Sequence, residues 1–176
     1  MAADFADYTD LRFFDQRLRV FGYPSRDALS HFTPFMNTNL RHRDTTQAII
    51  GGFYDVYNQL GHGFLESVYE SALEIDLKMA GIPAKRQEEI GVFFRGHCVG
   101  KYVADLIVND QVVVELKAAR AIAPAHEAQL LNLLEATRIE VGLLLNFGPT
   151  AEFRRMVLSN FNKPYVSAKV NPRDPR

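Results

Sequence analysis

Near the end of a valine-rich run, an acid and an amine stand two residues apart. These are Glu115 and Lys117, preceded by Val112, Val113 and Val114 and followed by Ala118 and Ala119. In an extended chain, residues i and i+2 project from the same face, so the carboxylate and the ammonium share a side. Asp105 lies in the preceding Val/Ile-rich run, 98–108. If the two runs pair as antiparallel strands in the right register, Asp105 joins them. Two carboxylates and one ammonium on a sheet face are costly to bury without compensation, and a divalent cation supplies it. Hard oxygen ligands suit Mg²⁺ (or Mn²⁺), which keeps waters and takes further ligands from phosphate. A lysine beside it can hold the attacking water or stabilise charge on phosphoryl oxygens. The chemistry implied is metal-assisted hydrolysis of a phosphodiester, with Asp105 and Glu115 as metal ligands and Lys117 as a catalytic residue.

Register decides whether the site exists. A regular two-residue turn at Asn109-Asp110 would pair Asp105 with Val114 and send Glu115 to the opposite face. A three-residue loop, Asn109-Asp110-Gln111, or a bulge, pairs Asp105 with Glu115. One of these two is expected.

Glu-x-Lys alone is a common triplet, and a surface ion pair at a strand end is the competing explanation. Asp76-Leu77-Lys78 has the related Asp-x-Lys form but falls in a helical stretch, where i and i+2 do not face each other. Two further residues bear on the site. Glu66 stands at the start of a helix, at the border of its apolar face, where it can look over the sheet edge as a third metal ligand. The alternative is compensation of the helix dipole, which acids in a first turn provide. Gln129 shares a helix face with His126, three residues before it, and can position water or phosphate.

The elements that must position these residues follow from periodicity. Asp44-x-x-Gln47 reads as a capping box, with Ile49, Phe53, Val56 and Leu60 at helical spacing behind it. Gly61 and Gly63 stop that helix. A second runs from about Leu65 to Ala80, ended by Gly81 and Pro83. Ile90, Val92 and Phe94 then alternate, and with 98–108 and 112–117 they predict a three-stranded antiparallel meander. A third helix spans Pro124–Ala136, with proline in its first turn. Ile139–Phe147 is a nearly continuous apolar run, as in a strand buried on both faces. Phe153, Arg155 and Val157 alternate as an edge strand would.

The chain of 176 residues is 47% hydrophobic, enough for one domain with a proper core. Residues 44–160 are expected to form it. Residues 1–43, rich in aromatics and arginine with a helix compatible with 9–20, read as an N-terminal extension, and 161–176 as a polar C-terminal tail. The formal net charge of -1 gives no sign of strong, autonomous affinity for nucleic acid. Cys98 alone excludes a disulfide within the chain or a cysteine zinc site. No apolar run is long enough to cross a bilayer, and the acidic N-terminus lacks a signal core. A soluble cytoplasmic protein with no membrane partner is expected.

Taken in order, these motifs resemble those of the GxxExxY family, in the PD-(D/E)XK nuclease superfamily. The naming motif stands as Gly63, Glu66 and Tyr69. The strand motifs stand as Tyr102, Ala104 and Asp105, and as Val114-Glu115-Leu116-Lys117-Ala118. The third-helix pattern is His126-Glu127-Ala128-Gln129-Leu130-Leu131-Asn132. The likeness covers about residues 45–158. Val103, where relatives often carry a basic residue, and Leu133, where they carry an aromatic one, depart from it. The resemblance implies an α/β fold with a mixed sheet. Its restriction-endonuclease-like core runs helix, three strands, helix, strand, here with an extra N-terminal helix. It also implies metal ligation by Glu66, Asp105 and Glu115 and catalysis by Lys117. The function expected is metal-dependent cleavage of nucleic acid, DNA rather than RNA. The alternative is a catalytically silent nuclease-fold module that binds nucleic acid or a protein partner.

Overall fold

The computed structural model describes residues 41–163. Residues 1–40, with the expected helix at 9–20, and 164–176 lie outside the described residues. Helix α1 spans Arg43–Leu60 and α2 Glu66–Met79. Strands β1 (Ala84–Phe94), β2 (His97–Val108) and β3 (Val112–Lys117) follow. Helix α3 (Pro124–Ala136), β4 (Val141–Phe147) and β5 (Ala151–Val157) complete the order. The five strands lie in the order β1-β2-β3-β4-β5. β3 and β4 are parallel and all other neighbours antiparallel. The α3 crossover between β3 and β4 is what a parallel pair requires.

The sheet is packed on both faces. Against α1 and α2 it presents Leu106, Val108, Val112, Val114, Leu116, Leu143, Leu145 and Phe147. Against α3 it presents Ile107, Val113 and Leu144, meeting Leu130, Leu133 and Leu134. Covered on both sides, β3 and β4 have no exposed residue, which is why they read as unbroken apolar runs. The expected mixed-sheet architecture, with its extra N-terminal helix, is the one observed. Among the described residues no helix is long and apolar enough to cross a membrane.

Two boundaries differ from those read in the sequence. Helix α1 begins at Arg43, with His42 as its cap residue in a left-handed conformation and no side-chain cap. Asp44 therefore sits in the first turn and does not cap it. β1 begins at Ala84, six residues before the first apolar alternation. Its early side chains are paired polar groups: Lys85 with Asp110, Arg86 with Glu70 and Glu74, Gln87 with Glu70.

Only Leu106, Ile107 and Val108 of β2 pair with β3. Beyond them, β1 and β2 continue as a two-stranded ribbon to Phe94 and His97. The sidedness of both strands changes where the ribbon leaves the sheet. In β2, Leu106 and Val108 face α1 and α2, so alternation assigns Ala104 to that side; it packs instead on the α3 side. In β1, Ala84 packs with the first core and Ile90 with the second, although their separation is even. Between them Gln87 has φ 51°, a conformation few residues other than glycine adopt. The flanking pairs Arg86↔Leu106 and Glu88↔Ala104 are intact, and Gln87 and Asp105 are the opposed residues missing from the ladder.

Candidate metal centre

The β2–β3 connection is the three-residue one. Asn109 and Asp110 both have φ 54°, and the Gln111 N–H donates to Val108 O at 3.0 Å. Val108 then pairs with Val112, Ile107 with Val113 and Leu106 with Val114. The next position along this register sets Asp105 opposite Glu115. Released from the ladder, the Asp105 carboxylate turns across the gap and accepts the Leu116 N–H at 2.8 Å. Along β3, Val112, Val114 and Leu116 point to α1 and α2 and Val113 to α3, so alternation sends Glu115 and Lys117 to the α3 side. There Glu115 Oε1 accepts from Lys117 Nζ at 2.9 Å and from Gln129 Nε2 at 2.7 Å. Asp105, Glu115, Lys117 and Gln129 thus converge.

Glu115 is 1% exposed and Lys117 9%. One ammonium cannot neutralise two carboxylates, Glu115 buried and Asp105 half-buried. Burial first, then the negative charge of Asp105, push the Glu115 carboxyl up to about 8, with Lys117 opposing. Burial also raises Asp105, against the Leu116 N–H that favours its ionised form. Glu115 Oε2 is buried without a hydrogen-bond partner. A buried carboxylate oxygen with unused lone pairs is uncommon. Beside a second carboxylate, it is the arrangement a hard cation fits.

Glu66 reaches the same strand end from the other face of the sheet. Its Oε1 accepts the Ala118 N–H at 3.2 Å, and its side chain is exposed. Among the described residues, no three His, Cys, Asp or Glu side chains are gathered as a ready metal cage. Asp105 and Glu115 form a pair, and Glu66 stands one residue beyond Lys117 at the strand exit.

The spacing Gly63-x-x-Glu66-x-x-Tyr69 acquires a physical meaning here. Tyr69 is fully buried, its ring stacked on Phe147 at 4.2 Å between centroids. Its hydroxyl donates to Gly61 O at 3.0 Å and accepts the Phe64 N–H at 3.2 Å. Gly63, at φ 107°, supplies the turn between those two anchors. The tyrosine thereby fixes the loop that delivers Glu66 to the sheet edge.

His126 does not join the site. Its Nδ1 accepts the Ala123 N–H at 3.2 Å, and so closes the start of α3, leaving Gln129 alone facing Glu115. Three supports escaped the sequence reading. Asn146, fully buried opposite Lys117, exchanges two 2.9 Å hydrogen bonds with the Ala119 backbone. A Cβ on Gly148 would lie 1.9 Å from Ala119 O, so glycine lets the β3 exit pass. Glu70, one turn after Glu66 and 4% exposed, is held by Arg86 Nε at 2.9 Å and Gln87 Nε2 at 3.0 Å. A lone asparagine within Leu143–Phe147 was the one available signal, since a buried polar group must find partners.

Comparison with curated proteins gives no match to this chain. Among solved structures, one described as "Crystal structure of SSO0001" aligns with a TM-score of 0.46 and 18% identity, over 72% of this chain and 65% of that one. The narrower GxxExxY likeness rests on the motifs alone. The family profile described as PD-(D/E)XK nuclease superfamily matches residues 43–156, the span that holds Glu66, Asp105, Glu115, Lys117 and Gln129, and the chain belongs to that superfamily.

Proposed function

We propose that this protein is a metal-dependent phosphodiesterase that cleaves nucleic acid, with DNA the expected substrate. The observation that carries the proposal is the Asp105–Glu115–Lys117 group, in which Glu115 and Lys117 are buried and Glu115 Oε2 is left unpartnered. Asp105 and Glu115 would hold Mg²⁺ or Mn²⁺, and Glu66 would join them by exchanging the Ala118 N–H for the ion. Two or three carboxylates suffice, because Mg²⁺ completes its shell with water and phosphate oxygens. When bound, the ion polarises the phosphate and acidifies water. Lys117 would orient the attacking water or offset charge growing on the phosphate, work its position beside Glu115 supports. Gln129 would hold Glu115 in the rotamer that aims Oε2 at the ion. Leu116 N–H does the same for Asp105.

The test is cleavage of single-stranded, double-stranded and branched DNA, and of RNA, with Mg²⁺ or Mn²⁺. Cleavage that needs the metal and disappears in Lys117→Ala and Asp105→Asn is expected. A wild-type chain that binds these polymers without cutting any of them would overturn the proposal in favour of a silent binding module.

A further inference from the structure

Two short loops meet where β3 leaves the sheet. One, 61–65, leads into α2; the other, 118–123, leads into α3. The hydrogen bond from the Ala118 N–H to Glu66 Oε1 joins them. Both loops are pinned to the fold. Tyr69 holds the first at Gly61 and Phe64. Along the second, Asn146 holds Ala119, Glu152 accepts the Ile122 N–H, and His126 accepts the Ala123 N–H.

The first loop presents an aromatic ring. Phe64 is 49% exposed, although its backbone N–H is bonded to the buried Tyr69 hydroxyl. The two rings stand 81° apart, with centroids at 6.1 Å, so Tyr69 steadies the phenyl group and covers at most one of its faces. A ring held in this way has little freedom left to lose when a planar group stacks on it. The second loop presents a cation. Arg120 is exposed between the anchors at Ala119 and Ile122. Lys117 is paired with Glu115, and Arg154 with the loop's own anchor Glu152. Arg120 makes no ion pair or side-chain hydrogen bond among the described residues. Its planar fork of donors suits phosphate oxygens.

Phe64 precedes Glu66 by two residues and Arg120 follows Ala118 by two. Each Cα therefore lies within about 7 Å of the junction between the loops. An aromatic face and an unpaired guanidinium thus flank the strand exit at which the carboxylates gather. A base and its phosphate match these two groups. Inside a duplex the faces of a base are taken by its neighbours in the stack, whereas an unpaired nucleotide can turn its face to an aromatic ring.

We propose that Phe64 and Arg120 bind one unpaired nucleotide beside the metal centre, its base on the Phe64 ring and its phosphate on Arg120. The site rests on the phosphodiesterase reading of Asp105, Glu115 and Lys117, and it makes the substrate single-stranded nucleic acid.

Fluorescence anisotropy of the full chain tests this, with a single-stranded oligonucleotide and a duplex of the same sequence, and with Ca²⁺ as the metal so that binding is read without turnover. The single strand should bind at least roughly tenfold more tightly than the duplex. Phe64→Leu keeps the backbone anchor and the apolar bulk, and should weaken single-strand binding at least about fivefold, the lower end for loss of one stacked base; Phe64→Tyr should retain it. Arg120→Gln should weaken binding and reduce the slope of log affinity against log salt by about 0.7, the share of one phosphate on a single strand. Circular dichroism checks the fold of each variant. Duplex binding as tight as single-strand binding, or a single-strand affinity that either Phe64→Leu or Arg120→Gln leaves unchanged, overturns the proposal. So does sedimentation as a dimer that Phe64→Leu dissociates, because the ring would then belong to a protein interface. A wild type that shows the expected affinities and cuts nothing refutes the phosphodiesterase reading alone; one that cuts yet fails them refutes this site alone.

Discussion

Tyr69→Phe removes one oxygen atom from the tyrosine of the Gly63-Glu66-Tyr69 motif and leaves the ring on Phe147. Two hydrogen bonds disappear, to Gly61 O and from the Phe64 N–H, at 3.0 and 3.2 Å. Each neutral bond of this kind is worth about 1 kcal/mol net, so both together amount to about 2 kcal/mol. The orphaned partners soften the loss, because Phe64 is exposed and Gly61 half-buried, and water can reach them. A cost of about 1–2 kcal/mol remains, or a melting point lower by roughly 4–8 °C for a domain of this size. The metal response should change as well, since the loop anchored by the hydroxyl is the one that carries Glu66. Melting is measured with and without Mn²⁺ for wild type, Tyr69→Phe, Glu66→Gln and the double variant. The metal-induced rise should shrink in both single variants and shrink no further in the double, because both act through the same carboxylate. An unchanged melting point in Tyr69→Phe, within about 1 °C, would show that the hydroxyl anchors nothing. An unchanged metal response in that variant would separate the tyrosine from Glu66 and refute the reasoning.

Metal-free protein should lose stability as pH rises. Glu115 titrates near 8 in the fold against 4.5 as its ordinary value, so between those values the folded chain binds the extra proton. Stability therefore falls from about pH 5 to pH 8, and urea midpoints across that range check the sign; a rise would contradict it. Glu66→Gln should keep the helix, with circular dichroism unchanged, yet lower metal-dependent cleavage. Lys117→Ala should abolish cleavage, assayed on the same substrates, while the Mn²⁺-induced melting shift persists. Gly148→Ala should cost at least about 1–3 kcal/mol in urea denaturation, the range for a side chain forced into filled space, because its methyl meets Ala119 O.

The grouping of the candidate residues was readable in the sequence where it coincided with strand periodicity. Glu115 and Lys117 stand two apart in a valine run, and that alone assigns them one face. The parity of the loop after Val108 then decides whether Asp105 can meet them. Residue types left this open, because Asn109-Asp110 favours a two-residue turn as readily as the start of a longer one; the backbone resolves it by adding Gln111. β1 was legible only from Ile90 because its first half is held by ion pairs and amides, which leave no apolar alternation. Asp44 resembled a cap because its spacing to Gln47 fits one, but the chain enters α1 through His42 instead. The roles of Asn146 and Glu70 depend on partners far away in sequence, Ala119 and Arg86, and no local pattern reveals such pairs.

The change of sidedness at Gln87 and Asp105 bears on which insertions and deletions this fold can tolerate. Beyond Ile90 and Tyr102 the ribbon leans on no third strand, so adding or removing one residue from each arm there alters its length and leaves the Asp105–Glu115 pairing intact. The three-residue loop 109–111 has no such freedom. Removing one residue there shifts β2 against β3 by a single position and sends Asp105 and Glu115 to opposite faces. Two hairpin connections on one sheet therefore face opposite evolutionary constraints: the outer one is free to drift in length and to acquire new surfaces, while the inner one is locked to an odd number of residues.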